Sequence, residues 1–299
     1  MQNVKGVRAD LAPFYIWISI WASMWASKLP AEHRPTADPR PAHRPPMTDL
    51  AIVTLASLFA GFVDAIVGGG GLILVPALFG VFSGAPPATL LGTNKATGVW
   101  GTAWATRQFA RRVQLPWSAL MPAAATALVG SFAGAWCVTL VSADGLRKAL
   151  PLLLLGVLLY TLARKDLGRI HAPRLTGRPQ ALAASAIGGA IGFYDGFFGP
   201  GTGSFFVFLF VRVLGFDFLN ASASAKLLNT ATNLAALALF AWKGHVWWQV
   251  AAVAALANVI GSLLGTRLAL KHGAGFVRVV FIGVVGALII RTGWDAFLR

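Results

Sequence analysis

Long apolar stretches separated by short polar segments make up most of the chain after residue 47. Because a helix needs about 20 mostly apolar residues to cross a bilayer, each long stretch is a candidate span. The sequence predicts eight spans, near residues 50–82, 89–109, 117–141, 146–164, 181–211, 219–242, 246–270 and 276–294. The first and fifth are too long for one straight crossing, and each contains a glycine run, which disfavours a helix interior. Each is predicted to be either a broken helix or a re-entrant pair of helices.

One short pattern occurs in both halves of this apolar region. The first copy reads GFVDAIVGGGG at residues 61–71, and the second reads GFYDGFFGPGT at residues 192–202. A shift of 131 positions superimposes the two copies, and the same shift relates Lys95 to Lys226. A constant shift over about 70 residues indicates a duplicated unit. The sequence therefore predicts an all-α integral membrane protein of two tandem four-helix repeats, in which the first helix of each repeat is broken at its glycine-rich segment.

Two further glycine pairs are related by the same shift. Gly130 and Gly134 correspond to Gly261 and Gly265, and each pair has GxxxG spacing. This spacing lets helices approach closely. We therefore expect these glycines to have a packing role rather than a role in binding.

The repeats divide the chain into four segments. They are a leader and Pro/Arg-rich linker at 1–46, a first membrane repeat at 47–165, a basic cytoplasmic loop at 166–180 and a second membrane repeat at 181–299. The linker has no periodicity and is predicted to be disordered. The apolar stretch 11–29 is predicted to be an interfacial helix, an extra crossing or a signal-like segment, unless translation begins at Met47.

Composition and charge support the membrane assignment. Hydrophobic residues make up 57% of the chain and charged residues 12%, with a mean hydropathy of +0.69, whereas a soluble domain has about twice that charged fraction. The net charge of +15 does not indicate a nucleic-acid partner, because basic residues cluster between apolar stretches, as at Arg111, Arg112 and 164–178. Such loops are typical of the cytoplasmic side. They predict eight crossings with both chain ends in the cytoplasm, which would give the repeats the same orientation.

Two acids and two lysines lie deep inside the predicted spans. Asp64 and Asp195 are the acids, and Lys95 and Lys226 are the lysines deep in spans. An ionisable group in the bilayer is costly unless it faces a cavity or a partner, so each is a functional candidate. We expect Asp195, and also Asp64, to take part in proton coupling. The alternative is that the aspartates and lysines form structural ion pairs.

The glycine segments are candidate anion sites. Non-helical backbone at membrane depth is tolerated only where it is buried in protein or lines a wet cavity, and a helix that restarts there presents free N–H groups that favour anions. The alternative is close helix packing alone. The candidate substrate-binding residues are the two lysines, neighbouring polar side chains and the glycine-segment backbone: Lys95, Lys226, Thr93, Asn94, Asn229, Asn233, Gly70, Gly71, Gly201, Thr202 and Gly203.

No cofactor or metal is expected from the sequence. All five His residues lie outside the predicted spans, and Cys137 is the single cysteine. This distribution argues against a metal centre within the spans and against paired-thiol chemistry. The glycine runs are not followed by the Lys-Ser or Lys-Thr pair of a phosphate-binding loop, which argues against ATP hydrolysis.

The combined motifs resemble a known family. The chain has GTNK at 92–95, FYDGFFGPGTGSF at 193–205 and AKLLNTATN at 225–233. Together with the doubled Gly/Asp segments, these motifs resemble the sulfite exporter TauE/SafE family of membrane transporters over residues 48–294. The resemblance is nearest to the poorly characterised branch. It implies a multi-pass secondary transporter of sulfite or small organosulfur anions in a bacterial inner membrane.

Three functions remain open on the sequence alone. The first is a secondary transporter of small oxyanions, coupled to protons and in contact with the lipid bilayer. The second is a membrane-embedded enzyme or assembly factor with a polar anion-binding cavity, and the third is a channel. Internal repetition favours a transporter, because alternating access uses paired gates. The spans also contain no recognisable catalytic set, so we expect a protein that is not an enzyme.

Overall fold

A computed structural model describes residues 47–82, 85–139 and 171–297. The leader, the linker and the predicted span 146–164 lie outside these residues. The described residues form helices and connecting turns without a strand: α1 Met47–Val67, α2 Gly70–Val81, α3 Pro87–Ala110, α4 Trp117–Val138, α5 Gly177–Phe197, α6 Thr202–Leu209 with a π-helical turn Phe210–Leu214, α7 Phe218–Trp242 and α8 Trp248–Phe297. Helix α8 is interrupted at Gly273, which has φ 73° and ψ −163°.

Three of the described helices are long and apolar enough to cross a bilayer: Met47–Val67, Trp117–Val138 and Trp248–Gly273. Two shorter apolar helices, Gly70–Val81 and Thr202–Leu214, accompany them. Helices α3 and α7 are long but less apolar, because they carry the buried lysines and a stripe of buried amides and hydroxyls.

Large apolar side chains cover the outside of the helix bundle. Leu55, Leu182 and Leu256 are 70%, 72% and 71% exposed, and Trp100 is 62% exposed. Soluble proteins rarely present so much contiguous apolar surface. The charged side chains of Lys95, Asp195 and Lys226 are buried inside the bundle instead. This distribution is that of an all-α membrane protein.

The chain reverses direction at the first glycine segment. Gly68 has φ +80°, a conformation that glycine adopts without steric cost. Gly70 then lies against the carbonyl of Ala60 and the side chain of Asp64. Because Gly70 is ten positions after Ala60, this contact requires that α2 fold back along α1. The structure therefore corrects the expectation of one broken helix to the re-entrant alternative, a helical hairpin.

The second glycine segment forms a similar hairpin between α5 and α6. Gly199 and Gly201 have φ values of +91° and +85°. The Tyr194 hydroxyl donates to the carbonyl of Pro200 at 2.6 Å, and the ring of Tyr194 meets that of Phe205 at a centroid distance of 5.3 Å. An uninterrupted helix would separate Tyr194 and Phe205 by about 16 Å.

The two GxxxG pairs make equivalent contacts, one between α4 and α5 and the other between α8 and α1. Gly130 of α4 faces the carbonyl of Gly189 in α5, and Gly261 of α8 faces the carbonyl of Leu58 in α1. The shift of 131 converts the first contact into the second. A side chain at either glycine would overlap the facing carbonyl, so the predicted packing role is confirmed.

Two buried hydrogen bonds are also related by the shift of 131 positions. The Ser131 hydroxyl donates to the carbonyl of Thr232 at 2.7 Å, and the Ser262 hydroxyl donates to the carbonyl of Gly101 at 2.6 Å. The shift of 131 relates the two serines, and it relates Gly101 to Thr232. Helices from one half of the chain therefore pack on helices from the other half in a reciprocal way.

Helices α3 and α7, which carry the two lysines, run in opposite directions where they meet. Gly92, early in α3, lies against Phe240, late in α7. Thr106, late in α3, shares a 2.9 Å hydroxyl contact with Thr230. The residue numbers rise in one helix as they fall in the other, so these two corresponding helices are antiparallel.

Candidate functional site

Each buried lysine pairs with the aspartate of the opposite half of the chain. Lys95 Nζ lies 2.6 Å from Asp195 Oδ2, and Lys226 Nζ lies 3.2 Å from Asp64 Oδ2. The shift of 131 converts one pair into the other. The exposed fraction of the Lys95, Asp195 and Lys226 side chains is 4% or less, and that of Asp64 is 15%. Each pair therefore ties a hairpin of one half to a helix of the other.

The two carboxylates differ in the number of donors that hold them. Asp64 Oδ1 accepts from the Gly70 N–H at 3.3 Å, and Asp64 Oδ2 accepts from Lys226 at 3.2 Å. The Thr102 hydroxyl lies 3.5 Å from Asp64 Oδ2 but donates its proton to the carbonyl of Gly98 at 2.7 Å. Lys226 also donates to the backbone carbonyl of Asp64. Within the described residues, Lys95 is the only hydrogen-bond donor to the Asp195 carboxylate. The Asp64 pair is thus fixed more firmly than the Asp195 pair.

The tips of the two hairpins touch through their backbones. Gly68 and Gly203 lie so close that a Cβ on either would overlap the other. The Ser204 N–H donates to the carbonyl of Gly68 at 3.2 Å, and the Ser204 hydroxyl donates to the carbonyl of Val67 at 3.1 Å. The N-terminal N–H groups of α2 and α6 are therefore partly used within the protein, by Asp64 and by Gly68 respectively.

A polar cavity lies beside this junction. It has a volume of about 30 Å³, enough for about two water molecules. Most of the residues proposed from sequence line it, contributed by both hairpins, α3 and α7: Asp64, Gly70, Gly71, Asn94, Lys95, Asp195, Thr202, Gly203, Asn229 and Asn233. An oxyanion such as sulfite, with four heavy atoms, would require these walls to move apart.

Three residues proposed from sequence do not line this cavity. Lys226 is fully buried and is bound to Asp64. The Thr93 hydroxyl donates to the carbonyl of Thr89 at 2.7 Å and accepts from the Trp247 N–H at 3.0 Å. Gly201 forms the left-handed turn immediately before α6.

Asn258 of α8 lines the cavity and was missed from the sequence. Its side chain is almost fully buried and donates to the carbonyl of Ser57 in α1 at 3.1 Å. The available signal was an amide well inside an apolar span, which is costly unless it has partners. The repeat comparison did not reveal it, because the corresponding residue is Ala127.

Two cavity amides have no hydrogen-bond partner among the described residues. Asn94 and Asn233 are 9% and 8% exposed, and both line the cavity. Buried polar groups are usually hydrogen-bonded. Unpartnered amides that face a cavity are therefore candidates for contact with a bound solute.

The described residues contain no group of three or more His, Cys, Asp or Glu side chains that could hold a metal ion. Outside the spans, partial burial and the nearby Lys243 both lower the pKa of His245. This histidine lies in the turn between α7 and α8, where its Nδ1 is 3.4 Å from the Thr89 hydroxyl.

Apolar helices around a small cavity with charged and polar walls define the class as a multi-pass membrane protein with a buried polar cavity. The sequence profile described as Sulfite exporter TauE/SafE matches residues 53–292. The chain belongs to this family and is a membrane transporter of the TauE/SafE type.

Several bacterial relatives extend over most of the chain. The probable membrane transporter protein ORF9 of Sinorhizobium sp is 39% identical over 251 residues, 82% of this chain and 94% of the relative. The probable membrane transporter protein YfcA of Escherichia coli K12 is 39% identical over 248 residues, 83% of this chain and 90% of the relative. A probable membrane transporter protein of Haemophilus influenzae is 34% identical over 252 residues, 83% of this chain and 97% of the relative. No solved structure matches the chain.

Proposed function

We propose that this protein is a secondary transporter that moves a small oxyanion, sulfite or a small organosulfur anion, across a bacterial inner membrane in company with a proton. The observation that carries the proposal is the cavity where the two hairpin tips meet, with Lys95 and Asp195 paired in its wall. Family membership supports transport, and the name of the family supports sulfur oxyanions.

Lys95 is the cation that receives the anion. Lys95 lines the cavity, and its ammonium has one carboxylate partner among the described residues. The amides of Asn94, Asn229 and Asn233 add uncharged donors around it. The glycine backbone of both hairpins (Gly70, Gly71 and Gly203) and the Thr202 hydroxyl complete the wall. Lys226, Thr93 and Gly201 act through these groups rather than by contact.

Proton coupling follows from competition for Lys95. An anion that binds Lys95 displaces the Asp195 carboxylate, and an unpaired buried carboxylate is costly. Protonation of Asp195 removes this cost and the repulsion between the carboxylate and the anion. Asp64 is the weaker candidate carrier, because both Lys226 and the Gly70 N–H donate to its carboxylate.

We also propose that the two halves are inverted repeats that provide alternating access. The antiparallel contact of α3 and α7 supports inversion, which requires an odd number of crossings per repeat. The α1–α2 hairpin would then enter from one side of the membrane and the α5–α6 hairpin from the other. We propose inverted repeats in place of the eight crossings and parallel repeats that the sequence predicts.

The distribution of basic residues indicates which end of the helix bundle faces the cytoplasm. At the end where α3 finishes and α5 begins lie most of the described basic residues that occupy turns or helix ends: Arg111, Arg112, Arg174, Arg178, Arg212, Arg267 and Lys271. Lys243 lies at the opposite end, after α7. By the positive-inside rule the first end is cytoplasmic, so α1 would begin on the periplasmic side rather than in the cytoplasm.

Uptake into proteoliposomes under an imposed pH gradient tests the function. Labelled sulfite, sulfate, sulfoacetate and chloride are offered to vesicles with and without the protein. We expect accumulation of sulfite that requires an inward proton gradient. Absence of gradient-dependent accumulation of all four anions would contradict the proposal.

A further inference from the structure

The four charges buried around the cavity sum to zero. Lys95 and Lys226 are positive, and Asp64 and Asp195 are negative. They come from α3, α7, α1 and α5 respectively, whereas α2, α6 and α8 give the cavity wall only backbone, amide, hydroxyl and apolar groups. An uncompensated charge in such surroundings costs several kcal/mol. The charge of a bound substrate therefore has to be balanced by a change on one of these four groups.

We propose that the cavity takes a singly charged oxyanion together with one proton, so that the empty and the loaded carrier are both electroneutral. The inference rests on the proposed function and adds the charge class of the substrate and the stoichiometry of coupling. The proton binds an Asp195 carboxylate oxygen as Lys95 leaves it for the anion. The two lysines and Asp64 then leave one positive charge, which the anion neutralises.

A doubly charged anion would not leave the loaded cavity with zero net charge. With one proton on Asp195, it would leave the loaded cavity with one net negative charge. A second proton on Asp64 would disrupt its interactions with Lys226 and the Gly70 N–H. Asp64 is therefore the fixed counter-charge, and Asp195 is the carboxylate that changes protonation state.

The unpartnered amides fit this charge class. Asn94 and Asn233 are about nine-tenths buried, line the cavity and make no hydrogen bond with the described residues. Each amide offers two N–H donors to oxyanion oxygens and adds no charge. The site can therefore bind the oxygens of a monoanion without a further cation.

The inference predicts how accumulation depends on its driving forces. In the wild type, accumulation of a monoanion should change about tenfold per pH unit of gradient and should not respond to membrane potential. Asp195→Asn removes the proton and leaves the empty carrier with one positive charge. Its accumulation should be independent of pH and should change about tenfold for each ~60 mV, as expected when one charge crosses the membrane.

The experiment uses the full chain in proteoliposomes. Labelled methanesulfonate is a fixed monoanion and labelled sulfate a fixed dianion, and the potential is set with potassium and valinomycin. Asp49→Asn is the matched control, because it makes the same change in the first turn of α1, outside the cavity wall. The control should keep the wild-type dependence on pH and its indifference to potential.

Calorimetry in two buffers of different ionisation enthalpy gives the protons taken up per bound methanesulfonate, with one expected for the wild type and none for Asp195→Asn. Potential-driven accumulation by the wild type, binding without proton uptake, or equal accumulation of sulfate and methanesulfonate would overturn the charge assignment and leave anion transport standing. Failure of the wild type to bind or accumulate sulfite, methanesulfonate or sulfate would contradict the proposed function itself.

Discussion

Replacement of Lys226 by Met should destabilise the protein through the carboxylate that it leaves behind. Lys226 is fully buried, and its ammonium binds both the carboxylate and the backbone carbonyl of Asp64. Methionine has a similar length and no charge. The substitution therefore leaves the volume nearly unchanged and leaves Asp64 without its counter-ion.

The expected cost follows from the remaining contacts. Removal of one partner of a buried ion pair costs about 3–5 kcal/mol. Asp64 keeps the donor from the Gly70 N–H, and its side chain is 15% exposed. The lower end, about 3 kcal/mol, is therefore expected for Lys226→Met. At roughly 2 °C per kcal/mol for a chain of this size, Tm should fall by about 6 °C.

Thermal unfolding in detergent measures this effect, with two comparison variants. Lys226→Met combined with Asp64→Asn should recover most of the lost stability, because the carboxylate no longer needs a counter-ion. Lys243→Met makes the same substitution just after α7, where the ammonium lies over Trp136, and should lower Tm by only about 1–2 °C. A single variant as stable as the wild type, or a double variant less stable than Lys226→Met, would refute the reasoning.

Three further outcomes are expected. Gly98→Ala should weaken anion binding at least several-fold in calorimetry, because Gly98 lines the cavity and the added Cβ would occupy part of it. The same substitution should raise Tm slightly, because the Cβ meets no atom within 4 Å and Ala is the better helix former. Unchanged affinity would argue against the cavity as the binding site. In a Cys137→Ser background, Thr176→Cys should react with a membrane-impermeant reagent only from the cytoplasm and Thr48→Cys only from the periplasm; reaction of both from the same side would contradict inverted repeats. His245→Gln should leave the pH profile of transport unchanged, because the lowered pKa of His245 keeps the imidazole neutral near pH 7; a profile shifted by the substitution would assign proton coupling to this turn.

The sequence revealed the charged and glycine positions because each conflicts with its surroundings. An aspartate or lysine inside an apolar span is costly, so Asp64, Asp195, Lys95 and Lys226 stood out without structural information. Ten of the proposed site residues line one cavity. Asn258 stood out less, because an isolated amide is a weaker signal than a charge and has no counterpart in the other repeat.

The direction of the chain after each glycine segment could not be predicted from sequence. A glycine run permits both a break that continues forward and a turn with positive φ that reverses. Which occurs depends on tertiary packing, here the contact of Gly70 with Ala60 and that of Gly68 with Gly203. The pairing of each lysine with the aspartate of the other half has the same origin, because it depends on how the halves pack on each other.

The most direct test of the account is sulfite accumulation by Lys95→Met in proteoliposomes under an inward proton gradient. Lys243→Met is the control, and size-exclusion profiles confirm that each variant is folded. Because Lys95 is the cation in the cavity wall, we expect Lys95→Met to lose at least 90% of gradient-driven accumulation. This loss is on the order of the tenfold effect of one lost charged contact. The control should accumulate sulfite at nearly the wild-type level. Wild-type accumulation by a folded Lys95→Met protein would contradict the claim that the anion is bound by Lys95 at the junction of the two hairpins.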